Sequence, residues 1–175
     1  NLGDPLSTFK KSLSYIRKYA ELVSCSRLYR SAPFGLSNQP PFLNAAVRIS
    51  TDLTPLSLLR NLQETEKNLG KKVICENGPR IIDLDLLLYD DISMQKKELV
   101  LPHPSILERD FVLQPLLDLN PTISHPEWTP KTAKSALSGL RKKFIEGEPE
   151  PWFYQARSII SSTSKAHQEL EDIEK

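Results

Sequence analysis

Apolar positions along the chain switch repeatedly between a helical and a strand period, and each switch marks an element. Asn1 to Asp4 reads as the tail of a loop. A helix then opens with Asp4 as N-cap and Pro5 at its first position, and Leu6, Phe9, Leu13, Ile16 and Ala20 recur along one stripe. From Leu22 to Ser31 the period falls to two, with Val23, Cys25, Arg27 and Tyr29 on one face of a strand and Leu22, Ser24, Ser26 and Leu28 on the other. Three prolines and Gly35 make residues 31 to 41 a loop. A second strand is expected from Phe42 to Ser50, with Leu43, Ala45, Val47 and Ile49 opposite Phe42, Asn44, Ala46 and Arg48. Thr54 caps another helix with Pro55 at its first position; Leu56, Leu59, Leu62 and Leu69 recur, and Gly70 supplies the stop.

The chain is organised around residues 78 to 91, where a Gly78-Pro79 turn feeds a run whose β-branched and leucine positions are interrupted by two acids. Alternation places Ile82, Leu84, Leu86 and Leu88 on one face and Asp83, Asp85, Leu87 and Tyr89 on the other. Carboxylates two residues apart on a strand, with Cα atoms about 6.5 to 7 Å apart, repel unless a cation lies between them. Mg²⁺ suits such a pair, because it is held by one or two carboxylates, waters and substrate phosphates. Arg80 adds a planar donor fork for phosphate oxygens. The bland alternative is a pair of acids that face water on a half-exposed strand. Phe42 and Asn44 share a face beside a loop carrying Phe34, a way to hold a flat heterocycle by stacking and edge pairing. Aromatics near strand ends also serve simply as core. Residues 71 to 77, basic and polar, are open to two readings, a lid over polyphosphate or a solvated turn.

Beyond Asp91 the chain returns as Glu98 to Leu101 and breaks at Pro102-His103-Pro104, with Ser105 expected to cap the next turn. Phe111 to Leu119 is almost wholly apolar and stops at Pro121, and Thr129-Pro130 opens a helix with Ala133, Ala136, Leu137, Leu140 and Phe144 inward. From Glu146 the composition shifts to a linker, then a short docking segment at 152 to 160 and a charged tail at 165 to 175. The domain is thus expected over residues 1 to 145, with 146 to 175 as linker, docking segment and tail.

The totals narrow the function class. With 175 residues, 39% of them hydrophobic, the chain carries one core, and a net charge of +1 offers no basic face for nucleic acid. Cys25 and Cys75 suit a reducing compartment, and no apolar run reaches the roughly 18 to 20 residues a membrane span needs. The expectation is a soluble protein, cytoplasmic or mitochondrial. The sequence holds no Gly-x-x-x-x-Gly-Lys-Ser/Thr loop for phosphates.

Gly78-Pro79-Arg80-x-x-Asp83-Leu84-Asp85-Leu86-Leu87 resembles the signature of the 6-hydroxymethyl-7,8-dihydropterin pyrophosphokinases of folate biosynthesis. Asn1-Leu2-Gly3-Asp4, Leu28 to Ser31, Phe42 to Ala46, and Leu101 to Pro104 through Arg109-Asp110-Phe111 resemble its other blocks, in its order. The resemblance runs from Asn1 to about Phe144. It implies an α/β (α+β) fold, a ferredoxin-like antiparallel sheet with helices packed on it, and transfer of diphosphate from ATP to the pterin hydroxymethyl group, releasing AMP. It implies two Mg²⁺ ions held by Asp83 and Asp85, with Arg80 stabilising the transferring phosphates. ATP contacts fall on Glu66, Lys71, Arg80, His103 and Arg109, and pterin contacts on Ser31, Ala32, Pro33, Phe34, Phe42, Asn44 and Phe111. No general base stands out: Asp85 and a metal-lowered hydroxyl remain alternatives.

Three departures qualify the match. Phe42 stands where the family commonly has Tyr. Lys71, Lys72 and Asn77 occupy a loop where bacterial members present arginines and a Trp, and lysine binds phosphate as a point charge without a planar fork. The family's first strand, which precedes its Asn-Leu-Gly-Asp block, is missing from this chain, so the natural chain is expected to continue upstream and a lone 175-residue product to be destabilised or inactive. Eukaryotic members of the family are often modules of longer chains, and a fused or adjacent dihydropteroate synthase or dihydroneopterin aldolase domain is the expected partner. Two other classes share features of this chain: metal-dependent glycosyltransferases, which have Asp-x-Asp but need a larger nucleotide-binding domain, and a non-catalytic ferredoxin-like binding module.

Overall fold

The computed structural model describes residues 1 to 34, 38 to 72 and 79 to 151. The expectations for most of the 71 to 77 connection, for Gly78 and Cys75, and for the docking segment and tail lie outside the described residues. Among the described residues, four α-helices, α1 (Pro5–Ile16), α2 (Pro55–Asn68), α3 (Asp110–Leu119) and α4 (Ala133–Gly139), pack with three small antiparallel sheets. In these β1 (Glu21–Cys25) pairs with β4 (Val47–Ser50), β2 (Tyr29–Ser31) with β3 (Phe42–Asn44), and β5 (Met94–Gln95) with β6 (Val100–Leu101). The fold is α+β.

Local chemistry sets the helix starts. The Asp4 side chain accepts the Ser7 N–H and Thr54 accepts the Ser57 N–H, each with proline at the head of the helix, and Gly70 takes the positive φ of 87° that suits a residue just past a helix end. Four details differ from expectation. Leu6 is 39% exposed rather than part of the buried stripe, because the inner face of α1 is set by Leu13 and Ile16. The inner stripe of α2 is Leu58, Leu62, Thr65 and Glu66 rather than the run through Leu56, Leu59 and Leu69. The last helix begins at Ala133, where Thr132 and Ser135 form a reciprocal capping box, and ends at Gly139, so Phe144 lies on an extended segment and not on the helix. Ser105 makes no side-chain cap bond; its N–H donates to His103 Nδ1 at 3.3 Å.

The two long strands expected from the period of two are each broken. The first divides into β1 and β2, and a register shift between Leu22 and Ser24 turns Val23 outward at 47% exposure while Cys25 packs on the side of Leu22. A bulge inserts an extra residue and so inverts the alternation beyond it. The second divides into β3 and β4, yet Leu43, Ala45, Val47 and Ile49 all reach one core, as their alternation predicts, while Ala46 reaches the other.

Those two cores frame the molecule. One gathers Leu13, Ile16, Leu28, Leu58 and Leu62, and the other Ala46, Ile106, Leu113, Leu116, Trp128 and Ala133. Each buried Leu or Ile side chain contributes about 1.5 to 3 kcal/mol. Residues 82 to 88 contact both: Leu84 and Leu86 pack on the first core, Leu87 and Leu88 on the second, and Tyr89 returns to the first. The expected faces of Leu88 and Tyr89 are therefore exchanged. Tyr89 is anchored by its hydroxyl, which donates to Leu53 O at 2.6 Å. The strand expected over this run is not found: residues 82 to 88 join no β-ladder among the described residues, and the His103 N–H donates to Leu87 O at 2.9 Å.

Candidate active site

The stripe that buries α2 ends in an acid. Leu58, Leu62 and Glu66 follow one another at four-residue spacing, so the packing that seats the leucines carries Glu66 against the 82–88 run. Glu66 Oε1 accepts the Leu84 N–H at 2.6 Å and Lys71 Nζ at 2.9 Å. Lys71 Nζ in turn donates to Asp83 Oδ1 at 2.5 Å, and Arg80 Nη1 pairs with Asp83 Oδ2 at 2.9 Å. Asp83 is thus gripped by two cations. Desolvation raises the Glu66 carboxyl despite the opposing Lys71 and Leu84 bonds. Desolvation alone would lower Lys71, but its bonds to Asp83 and Glu66 prevail and hold the ammonium above its ordinary range.

Asp85 is different. Its carboxyl is raised, first by desolvation and next by the neighbouring Asp83 charge, with His103, Lys71 and Arg109 pulling it back. The side chain nevertheless stays accessible at the cleft surface. Among the described residues no ion pair reaches Asp85, and Arg80 Nε is buried without a hydrogen-bond partner. The Arg80 turn is tied down by Asn1 and Leu2: Asn1 Oδ1 accepts the Arg80 N–H at 3.2 Å, and the Leu2 N–H donates to Arg80 O at 3.2 Å.

The other end of the site is aromatic. Phe34 lies with its ring centroid 6.4 Å from that of Phe111 and 5.4 Å from that of Phe144, and the Arg109 guanidinium sits 4.8 Å over Phe34. Asn44 Nδ2 donates to Tyr29 O at 3.2 Å and to Ser31 Oγ at 2.9 Å, which fixes the amide plane and leaves Oδ1 to accept from a ligand.

A cavity of about 250 Å³ joins the two ends. Its lining includes Ser31, Ala32, Phe34, Phe42, Asn44 and Phe111 on the aromatic side and Arg80, Asp83, Asp85 and Arg109 on the charged side. Pro33, Glu66, Lys71 and His103 do not line it. Glu66 and Lys71 reach it through Asp83, and the charge of His103 acts on Asp85. Among the described residues no three His, Cys, Asp or Glu side chains cluster as metal ligands, and Asp83 and Asp85 are the carboxylates of the lining. Two hard oxygen donors two residues apart at the cleft, with no third carboxylate in the lining, fit an ion that fills its remaining positions with water and phosphate oxygens.

Two residues of this neighbourhood carry no role in the sequence reading, Asp110 and Phe144. Asp110 stands in a recognisable block, at the start of an apolar helix, but nothing in its spacing says where its carboxylate points. Phe144 follows the helical rhythm of α4 closely enough to be read as its continuation.

The model of the family described as 7,8-dihydro-6-hydroxymethylpterin-pyrophosphokinase matches residues 1–121. A protein of Aquifex aeolicus named 2-amino-4-hydroxy-6-hydroxymethyldihydropteridine pyrophosphokinase is 38% identical over 126 residues, covering 72% of this chain and 79% of its own length. A Pneumocystis carinii protein named Folic acid synthesis protein fol1 is 39% identical over 163 residues, covering 91% of this chain, which spans 21% of that protein. A pea (Pisum sativum) protein named Folate synthesis bifunctional protein, mitochondrial, is 42% identical over 120 residues, or 68% of this chain and 23% of its own length.

Proposed function

Because the chain belongs to the 7,8-dihydro-6-hydroxymethylpterin-pyrophosphokinase family, whose ATP-dependent enzymes pass diphosphate to hydroxymethyldihydropterin in folate biosynthesis, we propose that the joined cavity is its active site. ATP is the co-substrate and the pterin diphosphate and AMP are the products. The carrying observation is that one cavity is lined by Asp83, Asp85 and Arg80 and by Phe34, Phe42, Phe111 and the oriented amide of Asn44, with Arg109 over Phe34 between the two sets. That polarity matches a reaction between a polyphosphate and a flat heterocycle.

Passing diphosphate rather than one phosphoryl group means that the hydroxymethyl oxygen attacks the β-phosphorus and AMP leaves. Asp83 and Asp85 would hold Mg²⁺, two ions in this reading, and the metal would supply neutralisation of the phosphate charge. In exchange Lys71 and Arg80 move from Asp83 to phosphate oxygens, where Arg80 offers a bidentate fork and Lys71 a point charge. Glu66 retains Lys71 near that position through its own 2.9 Å bond. Arg109 approaches from the aromatic side, and His103 flanks Asp85. Phe34, Phe42 and Phe111 exclude water and stack the ring, while Asn44 Oδ1 accepts from its edge. Alignment and charge, rather than covalent chemistry, do most of the catalysis in such transfers.

The proposal includes the setting. Residues 1 to 145 form the catalytic unit, and the chain works within a longer folate-synthesis protein beside a dihydropteroate synthase or dihydroneopterin aldolase domain; in support, the pea relative is named bifunctional, and the chain spans 21% and 23% of the Pneumocystis and pea relatives. No described helix is long and apolar enough to cross a membrane, and a cytoplasmic or mitochondrial location is proposed.

The test is product formation from ATP, Mg²⁺ and 6-hydroxymethyl-7,8-dihydropterin. AMP should appear in step with the pterin diphosphate and only when the pterin is present. AMP or ADP released at the same rate without pterin would overturn the assignment.

A further inference from the structure

Asp110, the first residue of α3, is the most deeply buried carboxylate among the described residues at 2% exposure, and no ion pair reaches it there. Its partners are backbone amides: Oδ1 accepts the Phe111 N–H at 2.9 Å, and Oδ2 accepts the N–H groups of Phe144 at 2.7 Å and Ile145 at 3.0 Å. A carboxylate removed from water is costly unless its lone pairs are filled, so this burial commits the 144–145 backbone to one place. From there the chain runs antiparallel along residues 28 to 32. The Ala32 N–H donates to Phe144 O at 2.8 Å, Glu146 N–H to Arg30 O at 2.9 Å, and Leu28 and Glu150 exchange bonds of 2.9 and 3.0 Å. The Phe144 ring, 7% exposed, stands behind the cavity rather than in its lining, 5.4 Å from Phe34 and edge-on to Phe111 at 5.8 Å and 88°. Phe34 itself is 44% exposed, so its orientation depends on what backs it.

The geometry points to Asp110 and Phe144 as positioning residues for ring binding: the buried carboxylate fastens the 144–145 backbone, and Phe144 then sets the separation and tilt of Phe34 and Phe111, against which the heterocycle stacks. The inference rests on the reading that this cavity takes the pterin. It extends the site past residue 121, where the family match ends.

The test compares Asp110→Asn, which keeps size but removes one acceptor oxygen, with Phe144→Leu, which keeps bulk but removes the ring, both in the intact protein. The pterin KM should rise roughly tenfold in each, while the ATP KM and kcat stay within about twofold. Since the two residues act in series, the double variant should raise the pterin KM no further than the larger single effect. An unchanged pterin KM, or a loss shared by both substrates and kcat, would overturn the inference. Circular dichroism and Tm identify a variant that fails to fold; Phe144→Leu leaves the carboxylate satisfied and keeps the comparison decisive. A wild-type protein without pterin-dependent AMP would overturn the functional reading and this inference together, and does so before any substitution is made.

Discussion

At the residue scale the two acids of the central run differ in what already surrounds them. Asp83 is shared between Lys71 and Arg80, whereas Asp85 is raised by desolvation and by its neighbour. Replacing either by Ala should cost at least about a hundredfold in kcat for pterin-dependent AMP formation, with Tm nearly unchanged, because each removes charge stabilisation from an accessible side chain. Full turnover in both variants would reject the metal assignment. Lys71→Met should act mainly on ATP, raising its KM roughly tenfold through the loss of one charged contact; steady-state kinetics with each substrate varied in turn separate this from a pterin effect. Asp118 gives a pH prediction of known sign. Burial alone would raise it, but bonds from Arg27 at 2.6 and 3.1 Å and from the Tyr29 hydroxyl at 2.7 Å hold its carboxyl below the model-compound value of 3.8. The folded state then binds fewer protons than the unfolded state, so this stabilisation is fully present above 3.8 and lost as pH falls through the lower folded value. Asp118→Asn should therefore lower Tm at neutral pH, with the gap to wild type closing in acid. A gap that persists at low pH would mean that the carboxylate charge is not what the cluster uses.

At the element scale, capping and periodicity carried their information faithfully. Asp4 and Thr54 start their helices, and alternation sends Leu43, Ala45, Val47 and Ile49 to one core and Ala46 to the other even though the strand breaks in the middle. Failures occur where an element's period changes without an obvious marker: at the bulge beside Val23, and after Gly139, where Phe144 continues a helical rhythm that the chain has abandoned. The inner stripe of α2 shares Leu62 with the expected one but runs through Leu58 rather than Leu56, Leu59 and Leu69, and it places Glu66 on the same face as Leu58 and Leu62. Leu58→Ala, at 1% exposure, should cost about 2 to 5 kcal/mol of stability. It should also weaken activity beyond the fraction unfolded, because the same helix aims Glu66 at Lys71. Denaturant unfolding and specific activity per folded molecule check the two parts.

At the scale of the whole molecule, the site borders the 82–88 run, whose leucines reach both hydrophobic cores. Both ends of the cavity are built from residues distant in sequence, so the amide of Asn44 and the fork of Arg80 line one volume only in the folded chain. Ligand that binds only the folded state stabilises it, by about 2.7 kcal/mol at a hundred times Kd. ATP with Mg²⁺ should therefore raise Tm, and excess EDTA should remove most of that increase while ATP remains. Equal protection with and without the metal would show that Lys71, Arg80 and Arg109 hold the phosphates unaided.

What the sequence determined alone is what depends on neighbours a few positions away: where helices start, which way alternate residues face, which acids fall next to each other, and which blocks mark the family. Only the tertiary structure decided which surfaces meet. It gave Asp83 its two cations, turned Glu66 inward, set Phe144 behind Phe34 and Phe111, and left 82 to 88 without a ladder among the described residues. The reason is physical: backbone preference and period are local energies written into short stretches, whereas contacts across tens of residues arise from the packing of all the buried side chains at once.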